Sequence, residues 1–269
     1  MPPQPDKIAT PAALDQFDAI FSLGLKIGPE SLQGVDRLAL VARWGVGYDM
    51  IDVAALTAAD VALAITPGAV RRPVAEAIVT FIFALTTNLI SQDRLVRAGR
   101  WRGDLPRLGR GISDRTLGSI GCGNIAQEMF RMVRSLGFGR LIAYDPHISP
   151  AAAAELGVEL VSMDEVLAGS DFVTINTLLN SATRGLIGEA ELRRMKPTAY
   201  LINTARGPIV QEAVLIQALR EGWIAGAGLD VFEREPLPAD SPLRDLDNVI
   251  LSPHGLAWTE DSDFVTPLW

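Results

Sequence analysis

Residues 116–126, Thr-Leu-Gly-Ser-Ile-Gly-Cys-Gly-Asn-Ile-Ala, decide the fold of the larger part of this chain. The apolar run Leu117–Ile120 predicts a buried strand, and the residues from about 124 onward predict a helix. Gly121 permits a tight turn between them, Gly123 lets the backbone approach a pyrophosphate, and Ala126 is small enough for close helix–strand packing. The helix N-terminus would supply N–H donors to the phosphates. This stretch therefore predicts a strand–turn–helix unit that binds a dinucleotide.

A dinucleotide-binding unit also needs an acid at the end of its next strand, and the sequence has one there. The run Leu141-Ile-Ala-Tyr ends at Asp145, 19 residues after Ala126. A carboxylate at this place accepts hydrogen bonds from the adenosine ribose and repels a 2′-phosphate, which favours NAD over NADP. The alternative interpretation is a glycine turn in an unrelated α/β domain.

Strands and helices are predicted to alternate along the rest of the chain. Strands are predicted near 116–120, 140–145, 171–176, 199–203, 224–231 and 248–252, with helices near 124–137, 164–168, 189–195 and 210–221. Strict alternation predicts a parallel sheet covered by helices on both faces. Upstream, strands are predicted at 18–24, 38–43 and 61–65, followed by helices at 74–90 and about 91–100.

Three polar residues near the C-terminus each follow a short apolar, strand-like run: Arg206, Glu235 and His254. Residues beyond the carboxyl ends of parallel strands meet in one crevice, which is where ligands bind. A cation, a carboxylate and an imidazole in one crevice predict a proton-transfer site with an anion clamp. The chain has two histidines, and the other, His147, lies after the ribose-binding acid.

Composition excludes several classes of function. The chain has 269 residues and a formal net charge of −8, which argues against a nucleic-acid groove. A single cysteine, Cys122, rules out an internal disulfide framework and a CxxC metal site, so no metal is expected. The cysteine content fits a reducing, cytoplasmic environment. The apolar stretch Val74–Ile90 contains polar side chains and predicts a buried helix and not a membrane segment.

From about Phe17 to Trp258, the chain resembles the D-isomer-specific 2-hydroxyacid dehydrogenase family, which includes phosphoglycerate dehydrogenase and glyoxylate/hydroxypyruvate reductases. An ordered series of motifs carries the resemblance. They are Gly45-Val-Gly-Tyr-Asp49 with Asp52, Val74-Ala-Glu76, Arg97…Gly99…Trp101, Gly118-x-x-Gly-x-Gly123, Thr183-Arg-Gly-Leu-Ile187, Met195-Lys-Pro197, Leu201–Gly207, Gly228-Leu-Asp-Val-Phe232 and Glu235-Pro236.

The resemblance implies an α/β fold with a Rossmann-type doubly wound parallel sheet and a smaller flavodoxin-like α/β substrate domain. Residues 1–90 would form the substrate domain, without the usual first βα unit. Residues 91–252 would form the NAD-binding domain, and 253–269 would return toward the substrate domain in shortened form.

The family's functional residues map onto the matching motifs. His254 would be the acid/base, Glu235 would tune it, and Arg206 would bind the 2-oxo oxygen and carboxylate of the substrate. The loop residues Gly45, Val46 and Gly47 would also bind the substrate carboxylate. Contacts with NAD (NADH) would come from Val74, Gly121, Gly123, Asn124, Ile125, Asp145, Thr204 and Asp230.

These assignments predict an oxidoreductase that interconverts a small 2-oxo acid and a D-2-hydroxy acid. The resemblance also implies a homodimer. The alternative is a catalytically weak or inactive NAD-binding paralogue that acts as a dinucleotide-sensing interaction protein. Arg71 and Arg72, which precede the helix at Pro73, are either solvated charges or a selector for an anionic substrate.

Overall fold

The structure, a computed structural model, describes residues 8–105 and 107–259. Its internal contacts divide the chain into two units at Val70/Arg71, and the larger unit continues to Thr259. This division differs from the boundary predicted at residue 90. The reason is the helix Arg71–Thr86, whose apolar face packs into the core of the larger unit. Residues 253–259 also belong to the larger unit, and the remainder of the segment 253–269 lies outside the described residues.

The smaller unit contains a parallel three-stranded sheet in the order β1-β2-β3. Its elements are α1 (Pro11–Leu14), β1 (Ala19–Ser22), β2 (Leu40–Arg43), α2 (Val53–Ala58) and β3 (Ala62–Ile65). All three strands were predicted, whereas neither α1 nor the short helix α2 was. Asp52 caps this short helix, because its side chain accepts a hydrogen bond from the N–H of Ala55.

The larger unit contains a seven-stranded sheet in the order β6-β5-β4-β7-β8-β9-β10, with every pair parallel. Its helices are α3 (Arg71–Thr86), α4 (Leu89–Arg97), α5 (Asn124–Val133), α6 (Pro150–Glu155), α7 (Met163–Gly169), α8 (Glu189–Arg194) and α9 (Glu212–Glu221). Its strands are β4 (Thr116–Ile120), β5 (Arg140–Tyr144), β6 (Glu159–Leu160), β7 (Phe172–Ile175), β8 (Tyr200–Asn203), β9 (Gly226–Leu229) and β10 (Val249–Leu251). The predicted doubly wound α/β sheet is confirmed.

Helices cover both faces of this sheet, so its central strands are buried on both sides. Along β8, Tyr200 and Ile202 face the core built with α3, α5 and α6, while Leu201 faces the core built with α7, α8 and α9. A side chain at Gly228 in β9 would come within 2.7 Å of the Phe81 ring, so the glycine lets α3 lie close to the sheet.

The strand order reverses between β4 and β7, and such a switch point opens a crevice at the carboxyl ends of the strands. Gly121 follows β4 in a left-handed conformation, with φ of 95°. A Cβ there would lie 2.4 Å from the carbonyl oxygen of Asn176, which follows β7. Only glycine fits this turn.

No single helix among the described residues is long and apolar enough to cross a membrane, although α3 and α4 would pass as one bent pair by length and composition alone. The same described part of the chain contains no group of three or more His, Cys, Asp or Glu side chains arranged to hold a metal ion.

Candidate active site

Three neighbouring strands of the larger sheet, β8, β9 and β10, carry the polar residues that the sequence singled out. Arg206 follows β8, Asp230 follows β9 directly, and His254 follows β10. The strands are parallel and adjacent, so these residues lie at the same edge of the sheet. Glu235 reaches the same place from the segment after β9.

Glu235 and His254 are in direct contact. Oε2 of Glu235 lies 2.8 Å from Nδ1 of His254, and the two side chains are 37% and 46% exposed. The other carboxylate oxygen of Glu235 accepts a hydrogen bond from the N–H of Phe232 over 3.0 Å. His254 has a left-handed backbone, with φ of 54°, which is uncommon for a residue with a side chain and is found at functional sites.

The ionisation of Glu235 reflects these contacts. Burial acts to raise its pKa, but the hydrogen bond and charge of His254 act against burial. The N–H of Phe232 and the charge of Arg206 act in the same direction, and together they hold the pKa of Glu235 below its ordinary value. Glu235 is therefore a carboxylate at neutral pH, so Nδ1 of His254 is the nitrogen that donates and Nε2 is left for a ligand.

Arg206 stands at the start of a short 3-10 helix, Gly207–Ile209. The buried Asn203 shapes this turn, because its amide donates to the carbonyl of Arg206 over 2.9 Å and its side-chain oxygen accepts from the N–H of Ala205 over 3.0 Å. We did not predict this role. The available signal was an asparagine at a strand end followed by a turn.

Asp230 is 5% exposed and supports the histidine loop. Its Oδ1 accepts hydrogen bonds from the N–H groups of Gly255, over 3.1 Å, and Leu256, over 3.2 Å. Within the described residues, its Oδ2 makes no hydrogen bond, so this oxygen can accept one from a ligand. The predicted contact with a nicotinamide carboxamide is compatible with this arrangement.

The glycine turn has the shape needed for a dinucleotide. Gly123 immediately precedes α5, and a Cβ added to it would meet no atom within 4 Å, so the space beside it is open to a phosphate. Asp145 follows β5 and accepts hydrogen bonds from the N–H groups of Cys122, over 2.7 Å, and His147, over 2.8 Å. Asn124 begins α5 and is exposed, whereas Ile125 is half-buried.

Cys122 lies inside this turn and is 1% exposed. Burial raises the pKa of its thiol to about 11, with a smaller contribution from the charge of Asp145. The side chain is therefore a neutral apolar filler at physiological pH.

The remaining predicted cofactor residues are also in the larger unit. Thr204 is half-buried just after β8, and Val74 lies half-buried on α3 against the core that α3 shares with α5. Arg71 and Arg72 begin α3 and share Glu128 of α5, with N–O distances of 3.8 Å and 3.3 Å, and Arg72 also pairs with Glu76. Both arginines are therefore paired, partly exposed charges.

The predicted substrate loop lies in the smaller unit, after β2. Gly45 has φ of 108°, and its N–H donates to the hydroxyl of Thr66 over 2.8 Å. Arg43 donates to the carbonyl of Gly47 over 3.0 Å and so holds the loop. The N–H groups of Val46 and Gly47 make no hydrogen bond to any residue that the structure describes, and they remain available as donors.

Known proteins are similar to this chain in both sequence and architecture. Residues 79–255 match the family model described as "D-isomer specific 2-hydroxyacid dehydrogenase, NAD binding domain". A glyoxylate reductase from Korarchaeum cryptofilum is 41% identical over 250 residues, which cover 91% of this chain and 75% of the relative.

Solved structures show the same likeness. A glyoxylate reductase from Paecilomyes thermophila superimposes with a TM-score of 0.84 and 33% identity, over 92% of this chain and 76% of that one. A D-lactate dehydrogenase from Aquifex aeolicus, complexed with NAD and lactic acid, superimposes with a TM-score of 0.85 and 29% identity, over 94% and 80% of the two chains. The chain therefore belongs to the D-isomer-specific 2-hydroxyacid dehydrogenase family, an enzyme family, and its larger unit contains the NAD-binding domain.

Proposed function

We propose that this chain interconverts a small 2-oxo acid and a D-2-hydroxy acid, with His254 as the acid/base. The contact between Nδ1 of His254 and Glu235, 2.8 Å long, carries the proposal. Because the carboxylate engages Nδ1, Nε2 is the nitrogen that gives a proton to the substrate oxygen or takes it back. The carboxylate of Glu235 orients the imidazole, and the N–H of Phe232 orients the carboxylate.

Arg206 would bind the substrate at the same edge of the sheet. Its planar guanidinium matches a carboxylate, or a carboxylate oxygen and the adjacent 2-oxo oxygen together. The bound NAD(H) supplies the hydride, while the protein supplies position and electrostatics. Gly121, Gly123, Asn124, Ile125 and Asp145 would hold its phosphate and ribose groups, and Asp230, Thr204 and Val74 its nicotinamide end.

The loop after β2 also has a role in this proposal. The N–H groups of Val46 and Gly47, which have no acceptor among the described residues, would bind the substrate carboxylate, with Gly45 shaping the turn. Glyoxylate is the first candidate substrate, because a relative that is 41% identical is named for it.

We also propose a cytoplasmic homodimer. The exposed large apolar side chains of α4 and of the segment after it support a surface for self-association. They are Leu89 at 55%, Val96 at 55%, Trp101 at 67% and Leu108 at 82% exposure. Sedimentation of the purified chain over a range of concentrations tests this part of the proposal, and a monomer at every concentration would contradict it.

Oxidation of NADH in the presence of glyoxylate, hydroxypyruvate, pyruvate or phenylpyruvate tests the activity. We expect turnover with at least one acid and a loss of about 100-fold or more in kcat for His254→Ala, with NADH binding retained. His147→Ala is the matched control and should leave kcat within about twofold, a change of only about 0.4 kcal/mol in the barrier. Binding of NADH without turnover of any acid would instead favour the non-catalytic, dinucleotide-sensing alternative.

A further inference from the structure

Two glutamates beside the site, Glu212 and Glu233, hold each other's backbone. The N–H of Glu212 donates to Oε1 of Glu233 over 3.1 Å, and the N–H of Glu233 donates to Oε2 of Glu212 over 3.1 Å. The two residues are 21 positions apart in the sequence. Neither belongs to the proposed catalytic or cofactor-binding residues.

This arrangement is the long-range counterpart of a capping box. Glu212 is the first residue of α9, so its N–H has no partner within the helix. In a local capping box, two residues of the same turn satisfy each other's N–H groups. Here one of the two residues lies on α9 and the other on the segment after β9, so the same reciprocal bonds fasten the segment to the helix.

The fastened segment is the one that carries Glu235. A Cβ at Gly207 would lie 1.9 Å from the carbonyl carbon of Phe232 and 2.4 Å from the N–H nitrogen of Glu233, so the turn after Arg206 and this segment touch backbone to backbone. The N–H of Phe232 in turn orients Glu235, which contacts His254. A continuous series of contacts therefore runs from Glu212 to the proposed acid/base.

Holding two carboxylates together is unfavourable in itself. Burial raises the pKa of Glu212 above its ordinary value; the N–H of Glu233 acts against that rise, and the charge of Glu233 adds to it. A single side-chain acceptor is enough to cap the N-terminus of a helix. The reciprocal pair of hydrogen bonds does more than cap the helix, because it fixes two backbone segments to each other.

We propose that Glu212 and Glu233 are positioning residues that hold the Glu235 segment against the Arg206 turn. They set the placement of the Glu235 carboxylate relative to His254 without touching substrate or cofactor. The inference rests on the proposed function of Glu235 and His254 and adds two residues to it.

Kinetics of Glu212→Ala test the inference. We expect kcat to fall about tenfold or more, since small displacements of catalytic groups are costly, while the KM for NADH stays unchanged. Glu212→Gln should restore most of kcat, because its amide oxygen still accepts the N–H of Glu233. Glu191→Ala is the matched control: it removes the carboxylate that caps α8 at the N–H of Gly188, 3.0 Å away and outside this series of contacts.

A second readout does not depend on turnover. The chain has only two histidines, so imidazole NMR titrations give two curves, and His254→Ala assigns them. In Glu212→Ala, the titration midpoint of His254 should move in the same direction as in Glu235→Gln, and the midpoint of His147 should stay in place. If Glu212→Ala does not fold, Glu212→Asp, whose shorter side chain falls short of the N–H of Glu233, provides the same comparison.

An unmoved His254 midpoint, or a kcat within twofold of wild type, in a folded variant overturns the inference. A wild-type protein that turns over none of the four acids, but whose His254 midpoint responds to Glu212→Ala, overturns the proposed function and leaves the positioning role intact. The two failures are therefore distinguishable.

Discussion

Asp230 is hydrogen-bonded through Oδ1 to the N–H of Gly255, over 3.1 Å, at the residue that follows the proposed acid/base. A second bond from the same oxygen reaches the N–H of Leu256. His254 has a left-handed backbone, which persists only where the surroundings hold it. The buried carboxylate of Asp230 stabilises this conformation through Oδ1, and its Oδ2 makes no hydrogen bond to any described residue.

Replacing Asp230 should therefore weaken both the fold and the reaction. Asp230→Ala leaves two N–H groups without an acceptor, so we expect a loss of about 1–3 kcal/mol in the free energy of unfolding and a lower kcat. Asp230→Asn keeps one acceptor oxygen and should retain most of the stability. Urea denaturation and steady-state kinetics measure both effects. Asp240→Ala, at an exposed position, is the control, and equal stability of Asp230→Ala and wild type would contradict the role.

The lowered pKa of Glu235 makes its contribution to stability dependent on pH. A carboxyl group whose folded-state pKa lies below its ordinary value of 4.5 favours folding when ionised. We expect the difference in unfolding free energy between wild type and Glu235→Gln to be fully present above pH 4.5, as long as the imidazole remains protonated, and to vanish as the pH falls through the lowered folded value. Denaturation curves recorded from about pH 3 to about pH 6 measure this difference. Ordinary carboxyl and imidazole groups titrate within or next to that range.

The exposed glutamate Glu189 provides the control for that experiment, because Glu189→Gln changes the same charge on the surface of α8. A Glu235→Gln difference in unfolding free energy that grows as the solution becomes more acidic would show the opposite sign and reject the pairing.

In kinetics, Glu235→Gln should lower kcat by about tenfold or more, since the imidazole loses its charge partner.

Two glycines of the dinucleotide turn should respond differently to alanine. Gly123→Ala meets open space, so stability should change by less than about 0.5 kcal/mol, while the added methyl group fills the pyrophosphate position and raises the Kd for NADH about tenfold or more. Gly121→Ala places a Cβ 2.4 Å from Asn176 in a left-handed conformation and should cost at least about 1–2 kcal/mol of stability.

Thermal unfolding and NADH fluorescence titration separate these two outcomes. Gly103→Ala is the control, because its Cβ would also meet open space but lies away from the turn. Unaltered NADH affinity in Gly123→Ala would mean that the pyrophosphate does not lie beside this residue.

Asp145 should set the preference between the two nicotinamide cofactors. Asp145→Asn keeps an oxygen for the N–H of Cys122, 2.7 Å away, but removes the charge that repels a 2′-phosphate. We expect the ratio of kcat/KM for NADH to that for NADPH to fall about tenfold or more. Like charges in contact are unfavourable by more than about 1.4 kcal/mol, and that energy corresponds to a tenfold change in the ratio. An unchanged ratio would assign the preference to other residues.

Cys122 should be chemically inert in the folded protein. With the pKa of its thiol raised to about 11 and the side chain buried, very little thiolate forms at pH 8. We expect a thiol-specific disulfide reagent not to label the folded protein within minutes at that pH. The labelling rate should be about tenfold or more below that of the urea-unfolded protein. Rapid stoichiometric labelling of the folded chain would show that the turn opens.

Much of the fold follows from local patterns in the sequence. The three strands of the smaller unit and six of the seven in the larger one coincide with the predicted apolar runs. The exception, β6, has only two residues, Glu159–Leu160, too few for an apolar pattern. The break between α3 and α4 lies at residues 87–88 and not at the predicted 90–91. Asn88, with φ of 52°, turns the chain inside one continuous apolar stretch.

For the site, the sequence by itself determined which residue types follow each strand, because parallel strands deliver their next residues to one edge of the sheet. Arg206, Glu235 and His254 could be named on that basis, whereas Asp230 was assigned only from the resemblance. Only the tertiary structure decided which groups touch. Glu235 meets His254, Asp230 holds Gly255, and Glu212 meets Glu233, across 19, 25 and 21 positions of sequence respectively. Such contacts depend on the order and spacing of the strands and on the path of the loops between them, and no local pattern encodes those distances.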